Sequence, residues 1–440
     1  MTNEAKASVS GAVELRTDRR FPKIAMLVAR FPKVTETFQL REMVTFEQLG
    51  VPIELYAITH HDDGGTIQED ARSLDARANY FPRISFEMIR AQLTWIRRNP
   101  SAYLKAWKWS LKTFASAPEM FVRSFVVVPL AATMALRMER DGIEHIHAHF
   151  ATYPTQAALI IHWLTGLPYS FTGHAHDLQM RHEGLRDKIT ESEFFVTCTQ
   201  YSQDSLRDLY GAIVLDKGHV VHHGVNLDKF TYREPPAPTN EDGSPRPLRM
   251  VCTATFTEIK GHEYLIEAIR LLRDRGKDID LKLIGGDPPQ QSNLQNEIRA
   301  QVRAAGLDER VEFLGKRPSD EVMRWIEWAD VGVLASVRSD TGDMDGLPNV
   351  LTECLAMGRP VVSTRQPGTM ELVEHGVNGL LARTRDAEEL AACIEQMYDD
   401  PDARVRMGIA GHAKVVANEN VVDRTTELLN IYAERVGRPL

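Results

Sequence analysis

The chain has 440 residues, of which 43% are hydrophobic and 26% charged. That is about three times a ~150-residue domain, so two large domains are expected, each able to bury a core without disulfides or a structural metal. Its 28 Gly and 22 Pro exclude a fibrous repeat or global disorder, and 52 Lys and Arg against 61 Asp and Glu leave a net charge of −9, the wrong sign for a general nucleic-acid binder.

Residues 1–20 contain no apolar run, so a disordered tail without a secretory signal is expected. Strands are predicted at Lys23–Phe31, Pro52–Thr59, Ile143–Phe150, Pro168–Asp177, Phe194–Thr199 and His219–Val225. Helical periods such as Phe38/Val44/Leu49, closed by Gly50, lie between several of them. The longest apolar stretch, Ser124–Leu136, has 13 residues and includes Pro129, short of the roughly 20 needed to span a bilayer. Cys198, Cys252, Cys354 and Cys393 form no CxxC pair and read as reduced, buried thiols of a cytoplasmic protein.

Residues 233–247 carry five prolines and one aliphatic residue, a linker composition. The alternation then restarts, with strands predicted at Leu248–Phe256, Asp280–Asp287, Arg310–Gly315, Asp330–Ser336, Arg359–Thr364 and Gly379–Thr384. The expected organisation is a Rossmann-like domain over 21–230, a linker over 231–247, a second such domain over 248–417 and a helix over 418–436. Open sheets of this α/β class bind ligands at their strand C-termini, which predicts an interdomain cleft as the site. Neither half contains GxGxxG, so no nicotinamide dinucleotide is expected.

The most informative stretch is DMDGLPNVLTECLAMGRPVVST (Asp343–Thr364). Pro348 suits the first turn of a helix that Gly358 ends. The free N–H groups of Gly346, Leu347, Asn349 and Val350 then offer an anion seat. Asp345 and Glu353 bracket that seat. Carboxylates would repel a phosphate, so sugar and ribose hydroxyls are their natural partners. An acidic first turn that only favours the helix dipole is the plainer alternative. A calcium loop fits less well, because Thr341 and Thr352 occupy its end positions. Lys260 follows the first strand of the second half and could meet a diphosphate as a point charge.

These segments, with KGHEYLIEAI, VEFLG, HHGVNLDKF and GTMELVEHGVNGLL, resemble the family 4 retaining glycosyltransferases of the GT-B fold. ARFPKVTETFQLREM and HAHFATYPTQAALIIHWLTGLPYSFTGHAHDL are similar to the branch that builds bacterial exopolysaccharides, the colanic-acid-type transferases. The resemblance implies that Asp345 and Glu353 are the family's paired acids, holding sugar and ribose hydroxyls. It also implies that Lys260 binds phosphate, that His174 lies beside the reacting sugar and that Glu371 is the acid of the G-x-x-E turn. The final helix would cross back to the first domain. Thr255 stands where the family usually has Arg, Asp345 where it has Glu. Thr35, Glu36 and Thr37 replace the double-Gly loop as an acceptor or phosphate loop.

Seven of the 15 histidines lie between 145 and 182. His145, His147 and His149 share one strand face, yet no carboxylate or cysteine stands at metal-ligand spacing in the sequence, so structural roles and no metal are expected. Residues 83–123 hold eight Lys and Arg with Trp95, Trp107 and Trp109. They suit an anionic membrane surface, or equally helices whose aromatics pack inward. The expected activity is retaining transfer of a sugar from a nucleotide sugar to a saccharide or lipid-linked saccharide in exopolysaccharide synthesis, without cofactor or nucleic acid. The enzyme would be cytoplasmic or peripheral on the membrane. The alternatives are another GT-B enzyme, such as a phosphorylase or epimerase, and a catalytically silent homologue in an assembly complex.

Overall fold

A computed structural model describes residues 14–15, 19–33, 36–60, 69–82, 85–240, 242–288 and 293–439. The chain forms two compact units. The first comprises Asp18–His222, Arg338–Leu347 and Tyr432–Leu440, and the second His223–Val337 and Pro348–Ile431.

The first unit is built on a parallel sheet of β1 (Ile24–Phe31), β2 (Ile53–His60), β3 (Asn79–Tyr80), β4 (His145–His149), β5 (Tyr169–Gly173), β6 (Phe194–Thr197) and β7 (Gly218–Val220), ordered β3-β2-β1-β4-β5-β6-β7. The second unit has β8 (Leu248–Thr253), β9 (Ile279–Ile284), β10 (Val311–Gly315), β11 (Val331–Leu334), β12 (Val361–Thr364) and β13 (Gly379–Ala382). Its order is β10-β9-β8-β11-β12-β13, again all parallel. Both are Rossmann-like sheets whose strand order reverses beside the first strand, which opens a crevice at the carboxyl ends of the central strands. Central strands such as β1 and β11 are buried on both faces and read as near-continuous apolar runs, whereas β4 (HIHAH) alternates histidine with apolar residues although all five are buried. The two-residue β3 was not legible, being too short to carry a pattern.

Two local expectations change. The apolar stretch 124–136 belongs to the 23-residue helix Pro118–Arg140, long and apolar enough to cross a membrane. Even so, 56% of its most apolar window is buried within the protein. Trp95 Nε1 donates to Ala132 O (2.8 Å), pinning the helix Phe86–Arg98 on it. Trp95 is fully buried, and Trp107 and Trp109 pack against the same core, so the tryptophans of the basic segment face inward. The helix expected over 418–436 is present as Val421–Arg435, preceded by a separate helix, Pro401–Asn418. Between them Glu419 O accepts from Val225 N (2.7 Å) and Val421 N donates to Val225 O (3.0 Å), which holds the backbone extended. Finally, Pro348 caps the helix Asn349–Ala356 from outside instead of occupying its first turn, with ψ at 104°.

Candidate active site

In the second unit the loops after β8, β9 and β11 are tied into one rim. Ala254 N donates to Ile284 O (2.9 Å), Phe256 N to Gly286 O (3.2 Å) and Val337 N to Ile259 O (2.9 Å). Two glycines allow the approach. A Cβ on Gly261, at φ +61°, would lie 1.9 Å from Ala335 O, and one on Gly285 would lie 1.8 Å from Ala254 O. Lys260 ends the 3-10 turn Glu258–Lys260 immediately before Gly261, so this contact fixes its backbone. The helix His262–Asp274 follows, with His262 stacked on Phe256 at 4.4 Å. Burial, helped by the charge of Lys260, pushes His262 down to about 3, so its ring is neutral.

Glu353 lies in the second turn of Asn349–Ala356 and is 8% exposed. This helix packs on β11 so closely that a Cβ on Gly332 would stand 2.5 Å from Cys354 Sγ. Glu371 lies in the short helix Pro367–Leu372 after β12, and its carbonyl accepts from Lys414 Nζ (3.2 Å). Thr255, Lys260, Pro348, Asn349, Glu353 and Glu371 therefore all stem from segments that leave the carboxyl edge of this sheet.

In the first unit His174 caps the helix Ala175–Met180 at the end of β5. Its ring packs in the corner formed by Phe38 (4.7 Å) and Phe150 (4.4 Å), whose own rings are 6.3 Å apart, with Cys198 Sγ 3.5 Å from Nδ1. Phe150 has φ +74°, a left-handed backbone that a bulky residue adopts only when its surroundings enforce it. Two buried groups do so. Asp177 accepts from His174 N (2.7 Å) and from Ala151 N, and Lys188 Nζ donates to Ala151 O (2.7 Å) and Thr152 O (3.3 Å). Burial drives both toward neutrality, Asp177 up to about 6 and Lys188 down to about 8.

The segment Arg338–Leu347 groups with this unit. His176 Nδ1 lies 3.0 Å from Asp343 Oδ2, and a Cβ on Gly346 would come within 3.3 Å of Ala175. His174 and the stretch Asp345–Leu347 are thereby brought together. The hydrogen bond to Asp343 raises the pKa of His176 above the usual histidine value.

Thr35 lies outside the described residues. Thr37 opens the helix Thr37–Gln48, and the Glu36 carboxylate is engaged locally by Lys33 and by Gln39 Nε2 (3.1 Å). No carboxylate stands at metal-ligand spacing with the β4 histidines in the sequence, but the fold brings one to them. Glu42, on the helix after β1, places Oε1 3.2 Å from His149 Nε2. The packing of Phe38 and Phe150 against His174 was also missed, because neither phenylalanine carries a sequence signal for positive φ or for ring contact.

A family model described as group 1 glycosyl transferases matches residues 247–400, and one described as glycosyltransferase family 4 matches residues 111–229. The chain is 34% identical over 428 residues to the putative colanic acid biosynthesis glycosyltransferase WcaL of Escherichia coli, covering 91% of this chain and 98% of that one. It is 26% identical over 406 residues to the amylovoran biosynthesis glycosyltransferase AmsK of Erwinia amylovora, covering 90% and 96%. Among solved structures, a glycosyltransferase from Rickettsia africae has a TM-score of 0.69 at 18% identity (94% and 99% covered). HepE of Anabaena in complex with UDP-glucose has 0.69 at 16% (94% and 100%).

Proposed function

The chain belongs to the family 4 glycosyltransferases, on the colanic-acid-type exopolysaccharide branch, and from that premise we propose that it moves a sugar from a nucleotide sugar to a saccharide or lipid-linked saccharide with retention of configuration. One observation carries the donor half of this reading. Lys260 and Glu353 leave the carboxyl edge of the second sheet on segments held there by the close contacts of Gly261 and Gly332, and Glu371 leaves the same edge on a helix tied down by Lys414. The UDP-glucose complex of HepE supports a nucleotide sugar as donor.

As the glycosidic C–O bond breaks, negative charge grows on the departing diphosphate. Lys260 and the N–H groups at the start of Asn349–Ala356 stabilise it there, one such donor being worth about 2.7–4 kcal/mol. Glu353 and Asp345 accept hydrogen bonds from ribose and sugar hydroxyls, and Glu371 holds the sugar from the β12 side. In this reading His174, packed against Phe38 and Phe150, serves the reacting sugar. The leaving phosphate takes the acceptor proton on the same face, and this front-face route retains configuration without a covalent enzyme nucleophile.

The test is release of nucleoside diphosphate across a panel of nucleotide sugars, with product anomers assigned by NMR. Lys260→Ala and Glu353→Ala should each lower kcat/KM about 100-fold or more. Normal turnover in either variant, or an inverted product, would overturn the reading.

The helices that follow β3 support docking on an anionic membrane. Phe86 (82% exposed), Ile89, Leu93 and Ile96 recur at helical spacing on the outer face of Phe86–Arg98. Val122, Phe125 and Val126 are exposed on Pro118–Arg140. Arg90 and Arg97 are exposed on Phe86–Arg98, and Lys108 and Lys112 on the intervening helix Pro100–Thr113; cations beside an apolar face match acidic lipid headgroups.

A further inference from the structure

The cluster at the end of β4 has no task in the transfer reaction. His147 and His149 project from one face of the strand and are fully buried. Glu42, from the helix Thr37–Gln48, sets Oε1 3.2 Å from His149 Nε2 and 4.0 Å from His147 Nε2. The three donor atoms all lie within 4.8 Å of one another.

Hydrogen bonding leaves the group incomplete. Neither ring nitrogen of His149 nor Glu42 Oε1 has an aligned hydrogen-bond partner among the described residues. A buried polar atom left in that state costs about 1–3 kcal/mol. His147 is already oriented, with Nδ1 2.9 Å from Ser170 Oγ and Nε2 3.0 Å from Thr172 Oγ1. A bond from Nδ1–H to a neighbour is what aims the other imidazole nitrogen at a metal.

We propose that Glu42, His147 and His149 form a three-ligand site for a divalent transition-metal ion of the zinc type, with Thr172 or a water completing the shell. Two imidazoles and one carboxylate are a donor set that zinc accepts. At bonds of 2.0–2.2 Å, tetrahedral ligand atoms stand about 3.4 Å apart, between the two Glu42 separations seen here. The ion would staple the helix after β1 to β4, with His149 stacked 6.1 Å from His174. The role is structural, and it stands apart from the identification of donor and acceptor.

The experiment uses the full chain with any affinity tag removed, expressed with added zinc and desalted. Elemental analysis should find close to one zinc per chain. Cobalt(II) added to the stripped protein should give the intense visible bands of tetrahedral coordination. Both should be lost in His149→Gln and in Glu42→Gln at unchanged far-UV circular dichroism. X-ray absorption on the wild type locates the site even if a variant misfolds, because nitrogen and oxygen scatterers alone are expected. Negligible metal in the wild type, sulfur in the first shell, or full binding by folded variants would each overturn the proposal.

Discussion

Gly261 governs where Lys260 stands, through a contact that no side chain tolerates. Gly261→Ala would drive a methyl into Ala335 O at φ +61°. It should lower stability by about 1–3 kcal/mol in urea titration and weaken nucleotide binding in calorimetry, while Gly276→Ala, with nothing within 4 Å of its Cβ, costs less. A second residue-scale test concerns pH. Protonated His176 gains Asp343 only in the folded state, so this stabilisation is fully present below 6.5 and fades as pH rises through the raised folded value. The pair is partly exposed, so its coupling is at most about 1 kcal/mol. A double-mutant cycle of His176→Ala and Asp343→Asn should show coupling in mildly acidic buffer and none in alkaline buffer. Equal coupling at both would mean that the charge on His176 is irrelevant.

At the scale of elements, the helix Phe86–Arg98 is divided by function. Its inner face, with Ala91 and Trp95 fully buried, belongs to the core, whereas Ile89 and Leu93 are about half exposed. Ile89→Asp with Leu93→Asp should therefore leave the thermal midpoint nearly unchanged, since exposed substitutions stay within about 0.5 kcal/mol. The same variant should abolish co-sedimentation with phosphatidylglycerol vesicles. Wild-type protein that ignores acidic vesicles, or a variant that still binds them, would exclude this face as a membrane contact. The basic composition of the segment was plain from the sequence. Which face of each helix the apolar residues take was not, because residues such as Trp95 and Ile96 are adjacent in sequence and only packing separates them.

For the molecule as a whole, the Pro-rich stretch is less a loose linker than a strap on the second unit. Arg359, almost fully buried, donates to Arg233 O (2.8 Å) and Glu234 O (3.1 Å) at one end. At the other, Arg246 forms a fork with both oxygens of Asp330 (2.7 and 2.8 Å), with both side chains under 5% exposed. Asp330→Ala would leave a buried guanidinium unpaired. It should cost about 3–5 kcal/mol and open residues 235–247 to limited proteolysis. A variant as resistant as the wild type would show that the prolines alone hold the strap. The last helix is likewise more than a terminal cap, since Tyr432 packs edge-on to Phe194 (4.9 Å) and His145 (5.3 Å) in the first unit.

Strand and helix order, the two Rossmann-like sheets and the residues at their carboxyl edges were legible from the chain itself. Most buried parallel strands here are near-continuous apolar runs, and the turn around Gly261 and the start of Asn349–Ala356 are local in sequence. Tertiary structure alone decided the partnerships. Glu42 meets His149, Asp343 meets His176, Asp330 meets Arg246 and Phe150 is forced to positive φ against His174. Each of these joins side chains from different crossovers or loops. Periodicity reports which face a residue takes on its own element, but only packing determines which other element that face meets.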